Sequence, residues 1–309
     1  MTPKVSVVIP CYNAGSHIGE TLDSVFAQTW PNIEVIVVDD GSTDDSAAVV
    51  KGHGSATLIC QDNRGAAAAR NRGLAESSGD FLQFLDADDI IDPDKISLQM
   101  ARLHDRPDSV ASAEWGRFSE SPARTAFVRE GNWEDLSPLE WLVRSRADGL
   151  GMLFPALWLV PRAVAEAAGP WNEALSLNDD GEYFTRVVLA SDAVLFCEGA
   201  RCRYRSGVAG SLSSSKNWAS GFAAIDLCET HVRAREDSER VRRGFALSWQ
   251  HLAHGAYPYA PAVAEEALTR GRALHPAVIR PGGGRAFKAL SRLLGWRTAR
   301  RLQVAAGQP

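Results

Sequence analysis

The stretch Phe81-Leu82-Gln83-Phe84-Leu85-Asp86-Ala87-Asp88-Asp89 limits the possible folds more than any other. An apolar run of strand length ends there in three carboxylates within four residues. A run of about four to eight apolar residues bounded by turn formers reads as a buried strand. Acids at the carboxyl end of such a strand stand on the rim of an open α/β sheet, where ligands bind. Carboxylates so close repel one another unless a cation sits among them, and an oxygen-only donor set suits Mg²⁺ or Mn²⁺. The same acids would equally cap a helix beginning near Pro93. The rest of the chain decides between the two.

Three earlier segments repeat the pattern. Lys4 to Ile9 reads as a strand closed by Pro10-Cys11-Tyr12-Asn13, and a helix over 16–28 follows with Ile18, Leu22, Val25 and Phe26 on one face. Ile33 to Val38 is a second strand that also ends in acid, Asp39-Asp40, with Ser42 or Thr43 placed to cap the next helix. Ala56 to Cys60 is a third, and the helix after it, 66–77, is rich in alanine and carries Arg70 and Arg72. Strands alternating with helices at these spacings predict parallel βαβ units, so acids at successive strand ends gather on one rim.

Further on, a helix is expected over 93–104, a strand over 110–115, a hairpin or loop over 118–132 and a helix over 137–145. An apolar strand or core segment spans 153–160, and Pro161 opens a helix to Ala168. Asn178-Asp179-Asp180-Gly181 precedes a helix over 182–191, and 193–197 and 200–204 read as two strands. Beyond Lys216 only helices are expected. Residues 285–304 differ from everything before them. They carry Arg285, Lys288, Arg292, Arg297, Arg300 and Arg301 with no acid, and Phe287, Leu290, Leu293, Leu294 and Trp296 fit one helical face. A basic amphipathic helix of this kind fits an anionic membrane surface, or packs on the body with its basic face in water.

Composition narrows the function. A formal charge of −5 does not suggest a nucleic-acid binder. Five scattered cysteines without metal-type spacing fit a reduced, cytoplasmic setting. The N-terminus lacks a signal-peptide apolar region, and nothing approaches the roughly 18 consecutive apolar residues of a membrane span.

VSVVIPCYNAGSHIGETLDSVFAQTW, VIVVDDGSTDDS, NRGAAAARNRGL and GDFLQFLDADD, in that order, resemble the signatures of family 2 glycosyltransferases. GPWNEALSLNDDGEYFTR and YRSGVAGSLS resemble that family's acceptor-side segments, so the resemblance covers about residues 4–215. It implies a GT-A fold, Rossmann-like with a mostly parallel sheet flanked by helices, over 1–215. The nucleotide-sugar half would be about 1–105 and the acceptor half about 106–215, with a helical C-terminal region over 216–309. It also implies transfer, with inversion, from a nucleotide-diphosphate sugar, a UDP-sugar foremost, to a hydroxyl of a saccharide or lipid-linked acceptor in surface polysaccharide or glycolipid synthesis. Mn²⁺ or Mg²⁺ would serve as cofactor. The location would be cytoplasmic, with peripheral contact at the inner membrane surface through 285–304.

Residue by residue, the resemblance makes Asp88 the principal metal ligand, Asp86 a contact to ribose or metal, and Asp89 a further metal ligand or a helix cap. Pro10, Tyr12 and Asn13 would line the nucleotide pocket, with Tyr12 stacking on the base. Asp39 would contact the base, helped by Asp40, and Arg70 would lie near base and diphosphate. Asp180 is the candidate general base with Asp179 as runner-up, and both would also favour a helix N-terminus. Trp171 is either an acceptor platform or a core residue. Arg205, Ser211 and Ser213 are candidate phosphate contacts. The loop after Tyr204-Arg205 lacks the histidine that many relatives use to complete the metal's coordination. Competing readings are a catalytically silent sugar-nucleotide binder and a transferase for a small-molecule acceptor. A nicotinamide dehydrogenase is disfavoured, because no Gly-x-Gly-x-x-Gly follows the first strand.

Overall fold

The structure, a computed structural model, describes residues 2–147, 149, 151–208, 216–276 and 284–306. Its first half is β1 (Val5–Cys11), α1 (Ile18–Phe26), β2 (Ile33–Asp39), α2 (Ser46–Gly52), β3 (Thr57–Cys60), α3 (Ala66–Glu76) and β4 (Phe81–Phe84). There follow β5 (Ile90–Ile91), α4 (Lys95–Leu103), β6 (Val110–Phe118), β7 (Ala126–Phe127), α5 (Pro138–Ser145), β8 (Val160–Pro161), α6 (Arg162–Ala168), α7 (Asp179–Ala190) and β9 (Val194–Arg205). The chain then continues as α8 (Trp218–Arg233), α9 (Glu239–Ala256), α10 (Pro261–Leu274), α11 (Arg285–Leu294) and α12 (Trp296–Ala305).

The first sheet has the order β3-β2-β1-β4-β8, and β1 to β4 pair in parallel through helical crossovers. Every residue of β1 is buried, which is why it reads as an unbroken apolar run: both faces of a parallel sheet are covered. Pro10 is tolerated inside this central strand because β4 pairs only as far as Val8↔Phe84 and has ended beside it. The small residues of α3 let it lie directly on the sheet. A side-chain carbon added at Gly73 would stand 2.3 Å from Val8 Cγ1. β1, β2 and β4 therefore end together, and the residues after them share one rim.

A second sheet, β5-β9-β6-β7, closes that rim from the side. Residues 194–205 form one strand rather than the two expected over 193–197 and 200–204. Its pairing with β6 slips between Ala113↔Cys197 and Glu114↔Arg201, so the Glu198-Gly199 turn signal is absorbed as a bulge with Gly199 at φ +80°. Glu114 holds the bulge by accepting from the Gly199 N–H (2.8 Å) and Arg201 Nε (2.9 Å). The apolar segment 153–160 is a 3₁₀ turn at Pro155–Leu157 plus the short β8, because Pro155 interrupts any ladder.

The helical C-terminal region is not a separate body. Cys228, Val232, Val241 and Phe245 belong to the main core, and a second core forms between α9 and α10 around Trp249, Tyr257 and Leu268. The expected single basic helix is broken at Gly295, whose φ of +78° no helix accommodates, giving the hairpin α11–α12. Among the described residues no helix is long and apolar enough to cross a membrane.

Candidate active site

The rim collects acids from three elements. Asp39 is the last residue of β2, and it is buried with Oδ1 lacking any partner. A buried acceptor left unsatisfied costs about 1–3 kcal/mol, so something that donates is missing beside it. Tyr12, directly after β1, is half exposed near this point. Asn13 adopts a left-handed φ of 48° and clamps the two loops together. Its N–H donates to Ser42 Oγ (2.9 Å) and its Oδ1 accepts the Thr43 N–H (2.8 Å). Ser42 and Thr43 are thus loop clamps and not helix caps, and α2 starts later, at Ser46.

Asp40 does not share the work of Asp39. Its Oδ1 accepts from Gln61 Nε2 (2.7 Å) and the Arg64 N–H (2.9 Å), and its Oδ2 accepts the Gly65 N–H (2.7 Å). The carboxylate is spent on ordering the turn that starts α3.

Arg70, buried in α3, joins the acids of β4 and α7. Its Nη2 donates to Asp86 Oδ1 (2.7 Å) and its Nη1 to Asp179 Oδ2 (2.8 Å). Burial alone would lower its pKa, yet Asp86 and Asp179 hold it above the ordinary value. The guanidinium lies 4.4 Å from the Trp171 ring centre. Trp171 is only 2% exposed and stacks on Tyr183 at 4.0 Å, so it is a core residue that supports Arg70 and not an open acceptor platform. Arg70 likewise braces acids and is not a free cation at the mouth.

Asp179 and Asp180 stand inside the first turn of α7, which begins three residues earlier than the sequence pattern placed it. Asp179 is committed to Arg70. Asp180 accepts only from the N–H of its neighbour Gly181 (2.7 Å), and its carboxyl is pushed up to about 7 by burial, then by Asp179 and Asp86. The pair of acids thus separates into one that holds structure and one that titrates near neutrality.

The loop after β4 shows the same division. Asp88 is pushed up to about 6 by burial and by Asp86. Asp89 is fully buried and raised well above the carboxylate range by burial, Asp88 and Asp86; its Oδ1 accepts the Arg205 N–H (2.9 Å) while its Oδ2 has no partner. Arg205 is already engaged through two of its nitrogens. It donates from Nε to the Asp88 carbonyl (2.8 Å), pairs with Glu20 and lies over Phe118. Glu20 is a contributor that sequence reasoning missed, and no local signal marks it, since its partner is 185 residues away. Ser211 and Ser213 lie outside the described residues.

The donors present fit a hard divalent cation: carboxylate oxygens only, with Asp88 raised by like charge and Asp89 Oδ2 orphaned. Among the described residues no three His, Cys, Asp or Glu side chains form a closed cage. A cavity of about 150 Å³ lies on the other side of the α7 turn, lined by Arg146, Asn178, Gly181, Phe245 and Ser248, and none of these acids reaches it.

Residues 6–168, more than half of the chain, match the model of glycosyl transferase family 2. The chain belongs to this family. Streptococcus pneumoniae glycosyltransferase GlyA is 36% identical over 122 residues, 38% of this chain and 18% of that protein. Escherichia coli YibD, named as a glycosyltransferase, is 38% identical over 120 residues, 37% of this chain and 35% of its own. S. pneumoniae GlyG is 31% identical over 161 residues, 48% and 52% of the two chains. The matches thus span at most about half of these relatives.

The fold agrees throughout. S. aureus TarS 1–349 in complex with UDP-GlcNAc superposes with a TM-score of 0.73 at 19% identity, covering 99% of this chain and 92% of that one. The Pyrobaculum calidifontis mannosyltransferase PcManGT, in complex with GDP-Man and Mn²⁺, gives 0.55 at 20% identity over 99% and 86%. The family 2 chain is therefore a GT-A protein with a helical C-terminal extension.

Proposed function

We propose that this family 2 member is an inverting, metal-dependent glycosyltransferase that moves a sugar from a nucleotide-diphosphate sugar, a UDP-sugar foremost, to an acceptor hydroxyl. The observation that carries the reading is Asp180. Its carboxyl is raised to about 7 by burial and by Asp179, and among the described residues it is hydrogen-bonded to no cation, although Arg70 lies close enough to oppose the rise, on the rim that also holds Asp86 and Asp88. A general base works best when its pKa lies near the operating pH.

In this reading the acceptor hydroxyl gives its proton to Asp180, and its oxygen attacks the anomeric carbon from the face opposite the diphosphate. The bond from that carbon to the diphosphate oxygen breaks, and the diphosphate leaves with the electron pair. Asp88, with Asp86 or Asp89, would hold the divalent ion, which when bound supplies countercharge to the leaving group. Asp39 meets the nucleotide base through its unpartnered Oδ1, and Tyr12 stacks on the ring. Pro10 and Asn13 shape this pocket through the backbone. Asp179 and Arg70 keep Asp180 and Asp86 in register. The acceptor class we assign is a saccharide or lipid-linked saccharide of surface polysaccharide or glycolipid.

Two substitutions test the donor half. Asp39→Ala should weaken nucleotide binding by about tenfold to a hundredfold, the worth of one hydrogen bond to a charged group. Calorimetric titration checks this, and unchanged affinity would remove Asp39 from the pocket. Asp88→Ala should leave metal-free nucleotide affinity intact and abolish its enhancement by Mn²⁺; an enhancement equal to wild type would place the ion elsewhere. The whole reading is tested by product analysis with a panel of UDP-, dTDP- and GDP-sugars. Transfer from one donor with inverted anomeric configuration is expected, and retained configuration would refute the in-line displacement.

A further inference from the structure

The hairpin α11–α12 takes no part in the catalytic reading, yet it concentrates two kinds of surface. Its first helix turns Arg285, Lys288 and Arg292 to solvent on one face, and none of the three is in an ion pair among the described residues. No acid occurs from residue 285 onward, whereas residues 1–284 carry 27 basic and 38 acidic side chains. The last turn of α11 exposes Leu293 (80%) and Leu294 (53%), with Leu302 (49%) on α12. These are three of the eight large exposed hydrophobics among the described residues.

The hairpin is a docked element with a defined orientation. Phe287 and Ala299 are buried, and Trp296 packs against His254 (4.6 Å between ring centres) and Tyr257 (5.4 Å). The apolar face expected from the sequence is therefore divided: Phe287 and Trp296 face the body, and Leu293 and Leu294 face outward. Direct contacts lead from here to the catalytic turn. Tyr257 ends α9, where Gly255 lies against Trp218 of α8. Ser220 of α8 accepts the N–H groups of Ser176 (2.8 Å) and Leu177 (3.1 Å), just before Asp179.

We propose that the α11–α12 hairpin seats the protein on an anionic lipid surface, with Arg285, Lys288 and Arg292 against the headgroups and Leu293 and Leu294 entering the interface. Charge complementarity selects the partner: residues 1–284 are net negative, whereas this end carries six basic side chains and no acid. The exposed leucines select lipid over a soluble polyanion, which gives them nothing to bury against. Each basic side chain near an anionic leaflet adds about a fivefold gain in partition, so removing three lowers it on the order of a hundredfold. The attraction is screened by salt.

Co-sedimentation of the full chain with phosphatidylcholine vesicles, with and without phosphatidylglycerol, tests this. Binding is expected only with phosphatidylglycerol, falling as salt rises. The triple variant Arg285→Gln, Lys288→Gln, Arg292→Gln should lose it on the order of a hundredfold, and Leu293→Ser with Leu294→Ser should lower it several-fold. All these side chains are exposed, so unchanged melting and unchanged nucleotide binding show that the variants fold and keep the donor site apart from the result. Wild type that stays in the supernatant overturns the proposal. So does a leucine variant that binds like wild type while soluble heparin competes, which would assign the hairpin to a polyanion.

Discussion

Replacing Asp180 by asparagine is expected to lower sugar transfer about 10²- to 10⁴-fold, the usual contribution of a general base, while nucleotide binding stays within about twofold. The same change should stabilise the fold at alkaline pH. The carboxyl sits at about 7 in the folded protein against an ordinary 3.8, so the folded state binds this proton more tightly than the unfolded one. Stability is then lost as pH rises between about 4 and 7, because burial and the neighbouring Asp179 oppose ionisation in the folded state. Asparagine never ionises. The variant should melt above wild type at pH 8, and the gap should close near pH 4. In the wild type, kcat/KM should rise through pH 7 as Asp180 loses its proton. Transfer close to the wild-type rate, or a melting gap independent of pH, would take the role of base away from Asp180.

The second large effect is expected at Arg70. Arg70→Met leaves Asp86 and Asp179 buried or half-buried without their shared cation, and removing one member of a buried pair costs about 3–5 kcal/mol. Arg70→Lys should recover only part of that loss, because an ammonium cannot span both carboxylates in the fork geometry. Chemical denaturation at pH 8 measures this. A cost below about 1 kcal/mol at pH 8 would show that the pair is a surface-type contact despite its burial.

The parts of this architecture written locally are the ones the sequence reveals. Four apolar runs at βαβ spacing announce β1 to β4, and the acids after β2 and β4 announce the rim, because strand, turn and carboxylate lie within ten residues of one another. The division of labour among those acids is not local. Asp179 is a structural partner because Arg70 reaches across 109 residues to hydrogen-bond it, while Asp180 feels Arg70 only through space. Trp171 reads equally as an acceptor platform or a core residue until Tyr183 is seen stacked upon it. Asp40 looks equivalent to Asp39 until the 61–65 turn claims both its oxygens. Arg205 looks like a dedicated phosphate ligand until Glu20 and the Asp88 carbonyl are seen to engage its Nη2 and Nε. Turn signals also overstate breaks: the Glu198-Gly199 cue became a bulge, while Gly295, inside an amphipathic pattern, became a true stop.

The central claim is that the rim formed by Asp39, Asp86 and Asp88 binds a nucleotide-sugar diphosphate through a divalent ion. Calorimetric titration of UDP, dTDP and GDP into the wild-type protein, with and without Mn²⁺, tests it most directly. One nucleotide is expected to bind measurably tighter with Mn²⁺, Asp88→Ala to abolish the enhancement, and Asp39→Ala to weaken binding with or without metal. No binding of any nucleotide in either condition, or binding that neither substitution changes, would contradict it.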